Sequence, residues 1–352
     1  MTNNSVILGA GNGALTESIH HEQYDEVQRY FDDIFARLPH NTRRAYISTM
    51  KSFNQFCDVN GDPRFSHSFD GNLTSIKAYV TSMCESQLAY KTVKTRIALL
   101  SKMMAIGSLP NPIKDSEYLR DFIKLELREF DIYNRANQAP ALRISDLAAI
   151  NNDVVPDNLL DVRDLALINL MFDGLLRADE VARVQIKHLN FEQNKFLVEK
   201  SKADQSGKGS FRYASRTSLS YISDYINEAN IGKEPEDKTS LTTGILFRPI
   251  SPKGTSLLPY DESEKRTSNM KVLNYTTIFR ALKRIAKKAG LELEISGHSA
   301  RVGGAVSMYE ANMSLAAIKK AGDWTSEAMP ARYTEQANSD LDMSILAKKY
   351  VR

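Results

Sequence analysis

Five successive runs of apolar residues at helical spacing, three of them followed by a chain breaker, dictate how the first third of the chain folds. Tyr24, Val27, Phe31, Ile34 and Leu38 make the first run, and Pro39 stops it. Asn41 or Thr42 is placed to cap a second helix carrying Ala45, Met50, Phe53 and Cys57, before Asn60-Gly61-Asp62-Pro63 breaks the pattern. Leu73, Ile76, Val80 and Met83 make a third. Val93, Ile97, Leu100 and Met104 make a fourth, and after Pro110-Asn111-Pro112 a fifth carries Leu119, Phe122, Ile123, Leu127 and Phe130. The spacing therefore predicts an all-helical domain over 21–133, preceded by a flexible arm at 1–20 and followed by a polar linker at 134–141.

The remainder, 142–352, mixes periods. A helix start is expected at Ser145-Asp146, and a long apolar helix from Asp161 to Leu176, broken near Gly174. Lys195 to Lys200 alternates as a strand, Ala203 to Gly209 is a polar turn, and Phe211-Arg212-Tyr213 begins a returning strand. Leu219, Ile222, Tyr225 and Ile226 form a helix, and Gly244-Ile245-Leu246-Phe247 reads as a short strand. Pro249 to Ser268 is a polar insertion, read as a mobile or DNA-facing loop. A basic helix over Tyr275–Ala289 and a terminal helix over Leu341–Tyr350 complete a fold that is mainly α with a small antiparallel sheet. Two domains suit 352 residues.

The bulk properties exclude more than they identify. A hydrophobic fraction of 42% and a charged fraction of 25% are those of a globular protein. No run approaches bilayer length, and the start of the chain lacks a secretory pattern. Cys57 and Cys84 fit neither a disulfide framework nor a zinc site, so a reduced, cytoplasmic-type compartment is expected. Gly9-Ala10-Gly11-Asn12-Gly13-Ala14 matches a dinucleotide fingerprint, but helices rather than a βαβ unit follow it, so no cofactor is expected there. A net charge of +3 is too small to name a partner. Its distribution says more: Lys91, Lys94, Arg96 and Lys102 occur with no acid between them, as do Arg280, Lys283, Arg284, Lys287 and Lys288.

The chemistry concentrates between Gly297 and Tyr333. His298 and Arg301 are spaced to share a helix face. Gly297 and the small residues around them indicate the first turns of a tightly packed helix, a place suited to an anion. Trp324 follows Ala321-Gly322-Asp323 and offers an indole N–H donor; Tyr333 supplies a phenol. Together an imidazole, a guanidinium, an indole and a phenol can bind a phosphodiester and attack it.

In order and spacing this set resembles the carboxy-terminal signature of tyrosine recombinases, the phage integrase family, with Gly297-His298-Ser299-Ala300-Arg301-Val302-Gly303 closest to its Cre-like branch. The resemblance implies a first catalytic arginine at Arg177 with its acidic companion Glu180, and a general-acid lysine at the hairpin, for which Lys202 is favoured over Lys200 and Lys208. It implies cleavage through a 3′-phosphotyrosine, without metal or nucleotide cofactor. The implied partners are double-stranded DNA with inverted, lox-like half-sites and further copies of the chain, a dimer on each site and a tetramer through the Holliday junction, with no membrane. DNA contacts are expected from Arg43, Arg44, Lys91, Thr92, Lys94, Arg96, Arg280 and Lys283. A relaxing enzyme of the type IB topoisomerase kind and a non-catalytic DNA-binding regulator are the alternatives.

Overall fold

The computed structural model describes residues 29–62, 64–133, 138–199, 209–231, 244–257 and 273–339. The arm at 1–20, Lys202 with the rest of its turn, and the terminal helix expected over Leu341–Tyr350 lie outside the described residues. The chain divides into two compact units, 1–137 and 138–352.

The first unit is helical throughout its described part. A short π-type turn, Tyr30–Ile34, and a 3-10 turn, Phe35–Arg37, stand where a regular helix over 24–38 was expected. Four longer helices follow: α1 (His40–Asn60), α2 (Phe69–Glu85), α3 (Tyr90–Ile106) and, after the short α4 (Pro112–Asp115), α5 (Glu117–Tyr133). Helix α1 has no side-chain cap, contrary to the expectation for Asn41 or Thr42; Pro39, extended at ψ 141°, ends the preceding turn and leads directly into His40. Ser68 caps α2 by accepting from Gly71 N. The predicted apolar faces meet in one core around Phe53, Ile76, Val80, Val93, Leu100 and Leu119.

The second unit is built on a helix buried all round. After α6 (Ile144–Asp153), helix α7 (Leu159–Asp173) runs through the middle, against α9 (Arg216–Glu228), α10 (Tyr275–Lys288) and α11 (Ser299–Glu310). Its buried polar groups are all matched: Asn169 exchanges hydrogen bonds with Asn151, Asp164 accepts from Arg163 and Arg284, and Asp161 accepts from Lys288. Between α7 and α9 lie the short α8 (Ala178–Val181) and a three-stranded antiparallel sheet, β1 (Leu189–Asn190), β2 (Lys195–Val198) and β3 (Ser210–Tyr213), in that order. The chain then passes through α11 into α12 (Leu315–Gly322) and α13 (Ala328–Ser339).

Two expectations are corrected here. Gly244–Phe247 is not a strand but a single bridge, Gln185 to Ile245, because the partner segment turns into a 3-10 helix at Ile186 and leaves nothing to extend the ladder. The first part of the polar insertion is a packed turn: Ile250 pairs with Leu257 and is buried, and Gly254 O accepts from Leu159 N at the start of α7. Among the described residues no helix is long and apolar enough to cross a membrane.

Candidate active site

The site begins where α7 ends. Leu175 takes a left-handed backbone conformation (φ 48°), costly for a residue with a Cβ, and turns the chain toward α8. Arg177 is the N-cap residue of α8: its N–H donates to Glu180 Oε2 (2.9 Å) and its Nη1 to Oε1 (2.5 Å). From sequence alone this reads as a surface i,i+3 pair worth about 0.2–0.5 kcal/mol. Burial changes that value, since the Glu180 side chain is only 3% exposed and its Oε2 also lies 3.8 Å from Arg301 Nη1. One carboxylate therefore serves two guanidiniums.

Arg301 enters from α11, which packs as closely as its small residues indicate. A Cβ on Gly303 would stand 1.6 Å from the Leu142 carbonyl oxygen, so only glycine lets α11 meet that segment. The Arg301 side chain is 1% exposed. Its Nη1 donates to Leu175 O and its Nη2 to Gly322 O (2.8 Å), and its Cζ lies 4.1 Å from the centroid of the Trp324 ring. Burial first, then the Arg177 charge, pull its pKa down from the ordinary arginine range to about 10, against the opposing pull of Glu180 and Tyr333. It still carries its charge at neutral pH. His298 does not share a buried face with it: the imidazole stands at the N-cap of α11, exposed, with its backbone N–H on Ser296 Oγ (3.2 Å).

Trp324 follows the left-handed Asp323 (φ 53°) that closes α12. Its ring lies on the backbone of Gly322, where a Cβ would come within 1.9 Å of Cζ3. It packs with Leu175, Ala305 and Ile318, and its edge meets Tyr333 at 5.9 Å between centroids and 67°. Tyr333 is half-buried on α13, which starts at Ala328 and holds Pro330 in its first turn, and its carbonyl accepts from Gln138 Nε2 (3.1 Å). Arg177, Glu180, Arg301, Trp324 and Tyr333 are thus brought together, with His298 at the end of the helix that carries Arg301.

One residue of this cluster is missed by sequence reasoning. Arg212, on β3, is 4% exposed, while its neighbours Phe211 and Tyr213 are 65% and 61% exposed. Its Nη1 donates to Ala321 O (2.6 Å), its Nη2 lies 3.3 Å from Asp323 Oδ2, and burial lowers its pKa.

Of the residues expected at DNA, Arg44, Lys91, Thr92 and Lys94 are exposed near the starts of α1 and α3, and Arg43 is half-buried there; neither helix has an acid in its first turn. Arg96 differs. It is half-buried and its Nη1 donates to Ser52 Oγ (3.0 Å) and Tyr79 OH (3.1 Å), joining α1, α2 and α3. On α10, Arg280, Lys283, Arg284, Lys287 and Lys288 line an open groove of about 520 Å³. This helix is acid-free only in sequence. Arg284 pairs with Asp164, and Lys288 with Asp157 (2.5 Å) and Asp161 (2.6 Å), the acids coming from the start of α7 and the residues before it. Arg280, Lys283 and Lys287 remain exposed along the groove.

A helical frame with a small sheet, a buried arginine on an indole and a tyrosine at the indole's edge define the class. Residues 141–340 match the phage integrase family, and the chain belongs to that family. It is 23% identical to the recombinase Cre of Escherichia phage P1 over 328 residues, 90% of this chain and 91% of Cre, and 26% identical to an integrase/recombinase XerD homolog of Selenomonas ruminantium, over 85% of this chain and 82% of the homolog. Among solved structures it is similar in fold to the XerH site-specific recombinase in a post-cleavage complex with a palindromic difH substrate (TM-score 0.60, 12% identity, 97% of this chain and 93% of that one). A lambda integrase dimer on a COC′ core site is a second such structure (TM-score 0.54, 13% identity, 89% and 94%).

Proposed function

We propose that the chain is a site-specific DNA recombinase that cuts and rejoins strands through a 3′-phosphotyrosine at Tyr333. The observation that carries this reading is the stack in which the Arg301 guanidinium lies on Trp324 while Tyr333 meets the edge of the same ring. A fixed cation and a phenol then face one small region, as in-line attack on a phosphodiester requires.

In this reading Arg177 and Arg301 bring positive charge to the non-bridging oxygens of the scissile phosphate, Arg301 while its Nη atoms hold Leu175 O and Gly322 O, and the N–H groups of His298 and Trp324 add donors as charge builds on the pentavalent phosphorus. Tyr333 gives up its phenolic proton to water as its Oη forms the new bond to phosphorus, the bond to the 5′ oxygen breaks, and Lys202 gives that oxygen its proton. The ester retains the bond energy, so attack by a 5′-hydroxyl rejoins the strand with neither metal nor ATP. Glu180 touches no phosphate; it holds the two arginines. Residues 21–133 act as the core-binding domain and 142–352 as the catalytic domain. Arg43, Arg44, Lys91, Thr92 and Lys94 meet DNA from the first, and Arg280, Lys283 and Lys287 from the second. Arg96, Arg284 and Lys288 serve chiefly within the protein.

Two copies occupy inverted half-sites and two such dimers exchange strands in pairs through a Holliday junction, on nucleoid or plasmid DNA. Relatives named for a palindromic substrate and for a dimer on a core site support this arrangement. The segment with Leu341, Ile345, Leu346 and Tyr350 docks on a neighbouring copy, and deletion after Ser339 is expected to weaken synapsis. The test of the whole reading is selection of bound sites from a random duplex pool, followed by incubation with plasmids carrying two copies of the winner. Exchange between the copies is expected; relaxation of supercoils on any plasmid, with no preferred site, would instead indicate a topoisomerase.

A further inference from the structure

The turn that carries Trp324 is held by two buried arginines, only one of which has a place in the chemistry above. Arg301 donates to Gly322 O from α11, and Arg212 donates to the preceding carbonyl, Ala321 O, from β3. These are the last carbonyls of α12, where helix ends leave acceptors unpaired and where positive charge is favoured. Asp323, beside Arg212 Nη2, is held in its left-handed conformation at the same point.

The register explains how Arg212 gets there. It pairs with Phe196 on β2, a fully buried residue, and the pleat that turns Arg212 inward turns Phe211 and Tyr213 to solvent. Strand β3 is also the return strand of the 200–208 segment that holds Lys202, so one side chain ties that strand to the Trp324 turn. Its Nε is buried without a hydrogen-bond partner among the described residues, and its Nη2 has the 3.3 Å ion pair with Asp323 alone. Burying a guanidinium there, with one nitrogen unpartnered, carries a desolvation cost that packing alone does not require.

We propose that Arg212 is a positioning residue for strand transfer: it fixes the Ala321–Trp324 turn, and through it the indole under Arg301, without touching the phosphate. The proposal rests on the recombinase reading for its consequence but not for the contact itself. The tests are Arg212→Met, which keeps the stem, and Arg212→Lys, which keeps a charge and a donor. Trp324 is the only tryptophan, so its emission reports this turn directly.

In R212M, Trp324 emission is expected to shift to the red and its acrylamide quenching to rise. Single-turnover cleavage of a nicked cognate duplex should fall roughly tenfold or more while the Kd for DNA changes less than about twofold. R212K is expected to recover part of both, which a loss of general packing would not allow, and it serves as the folded comparison should R212M fail to fold. Unchanged emission and an unchanged cleavage rate in R212M, or R212K no better than R212M in both, overturn the proposal. The fluorescence arm needs no DNA. Wild-type protein that forms no covalent adduct, beside an R212M that still shifts the emission, overturns the recombinase reading instead.

Discussion

Replacing Glu180 by glutamine removes the one negative charge shared by Arg177 and Arg301. At 3.8 Å and an effective dielectric of about 20, its attraction for Arg301 alone is about 4 kcal/mol before desolvation is counted. Glutamine keeps the shape and one acceptor, so the net loss expected for E180Q is about 1–3 kcal/mol, against about 3–5 kcal/mol for E180A, which strands both guanidiniums. For a unit of this size that is a fall in Tm of roughly 2–12 °C for E180Q.

The pH dependence has a definite sign. Arg301 already sits at about 10, well below an ordinary arginine, in the folded protein, so keeping it charged costs stability at every pH below about 10, and the cost eases only above that. Glu180 holds that value up. E180Q should therefore lower it further, and the alkaline fall in cleavage should begin at a lower pH than in the wild type. Differential scanning calorimetry and single-turnover cleavage from pH 7 to 10.5 read the two effects. An E180Q protein as stable as the wild type, with its alkaline limb unmoved, would refute the idea that one carboxylate holds both arginines.

Two further outcomes follow from the packing and the groove. Gly303→Ala forces a Cβ onto the Leu142 carbonyl and should cost about 3 kcal/mol or more, because backbone on both sides cannot yield; a thermal melt within a degree of wild type would contradict this. Lys283→Met should lower the slope of log Kd against log salt by about one. Lys288→Met should change that slope less and lower stability more, because its ammonium is held by Asp157 and Asp161; equal slope changes in salt titrations by fluorescence anisotropy would show that both meet phosphate.

The fold was legible wherever one period persisted. Helices α2, α3, α5 and α7 all follow from apolar spacing, because each buries a stripe or, for α7, its whole surface. The short elements were not. Gly244–Phe247 has the apolar content of a strand, yet its pairing depends on where the Val184–Ile186 segment turns, which no local signal states. Within the site, His298, Arg301, Trp324 and Tyr333 were readable as residue types suited to a phosphodiester, whereas Arg177 and Glu180 were reached only through the resemblance to tyrosine recombinases. Arg212 was not readable because hydrophobicity puts Phe211 and Tyr213 inside and the arginine out. The structure does the reverse: the acceptors that call for a guanidinium, at Ala321 and Asp323, lie more than a hundred residues away. For the same reason Arg284 and Lys288 looked available for DNA. Their acids come from Asp157, Asp161 and Asp164, far away in the chain.

The central claim is that the Tyr333 phenol takes the DNA phosphate, and it is tested most directly by finding the atom that carries the nucleotide. Protein trapped on a nicked cognate duplex, digested with nuclease and trypsin and read by mass spectrometry, should show a nucleotide 3′-phosphate on the peptide containing Tyr333. Tyr333→Phe should bind the same duplex and trap nothing. An adduct on any other residue, or undiminished trapping by Y333F, would contradict the account.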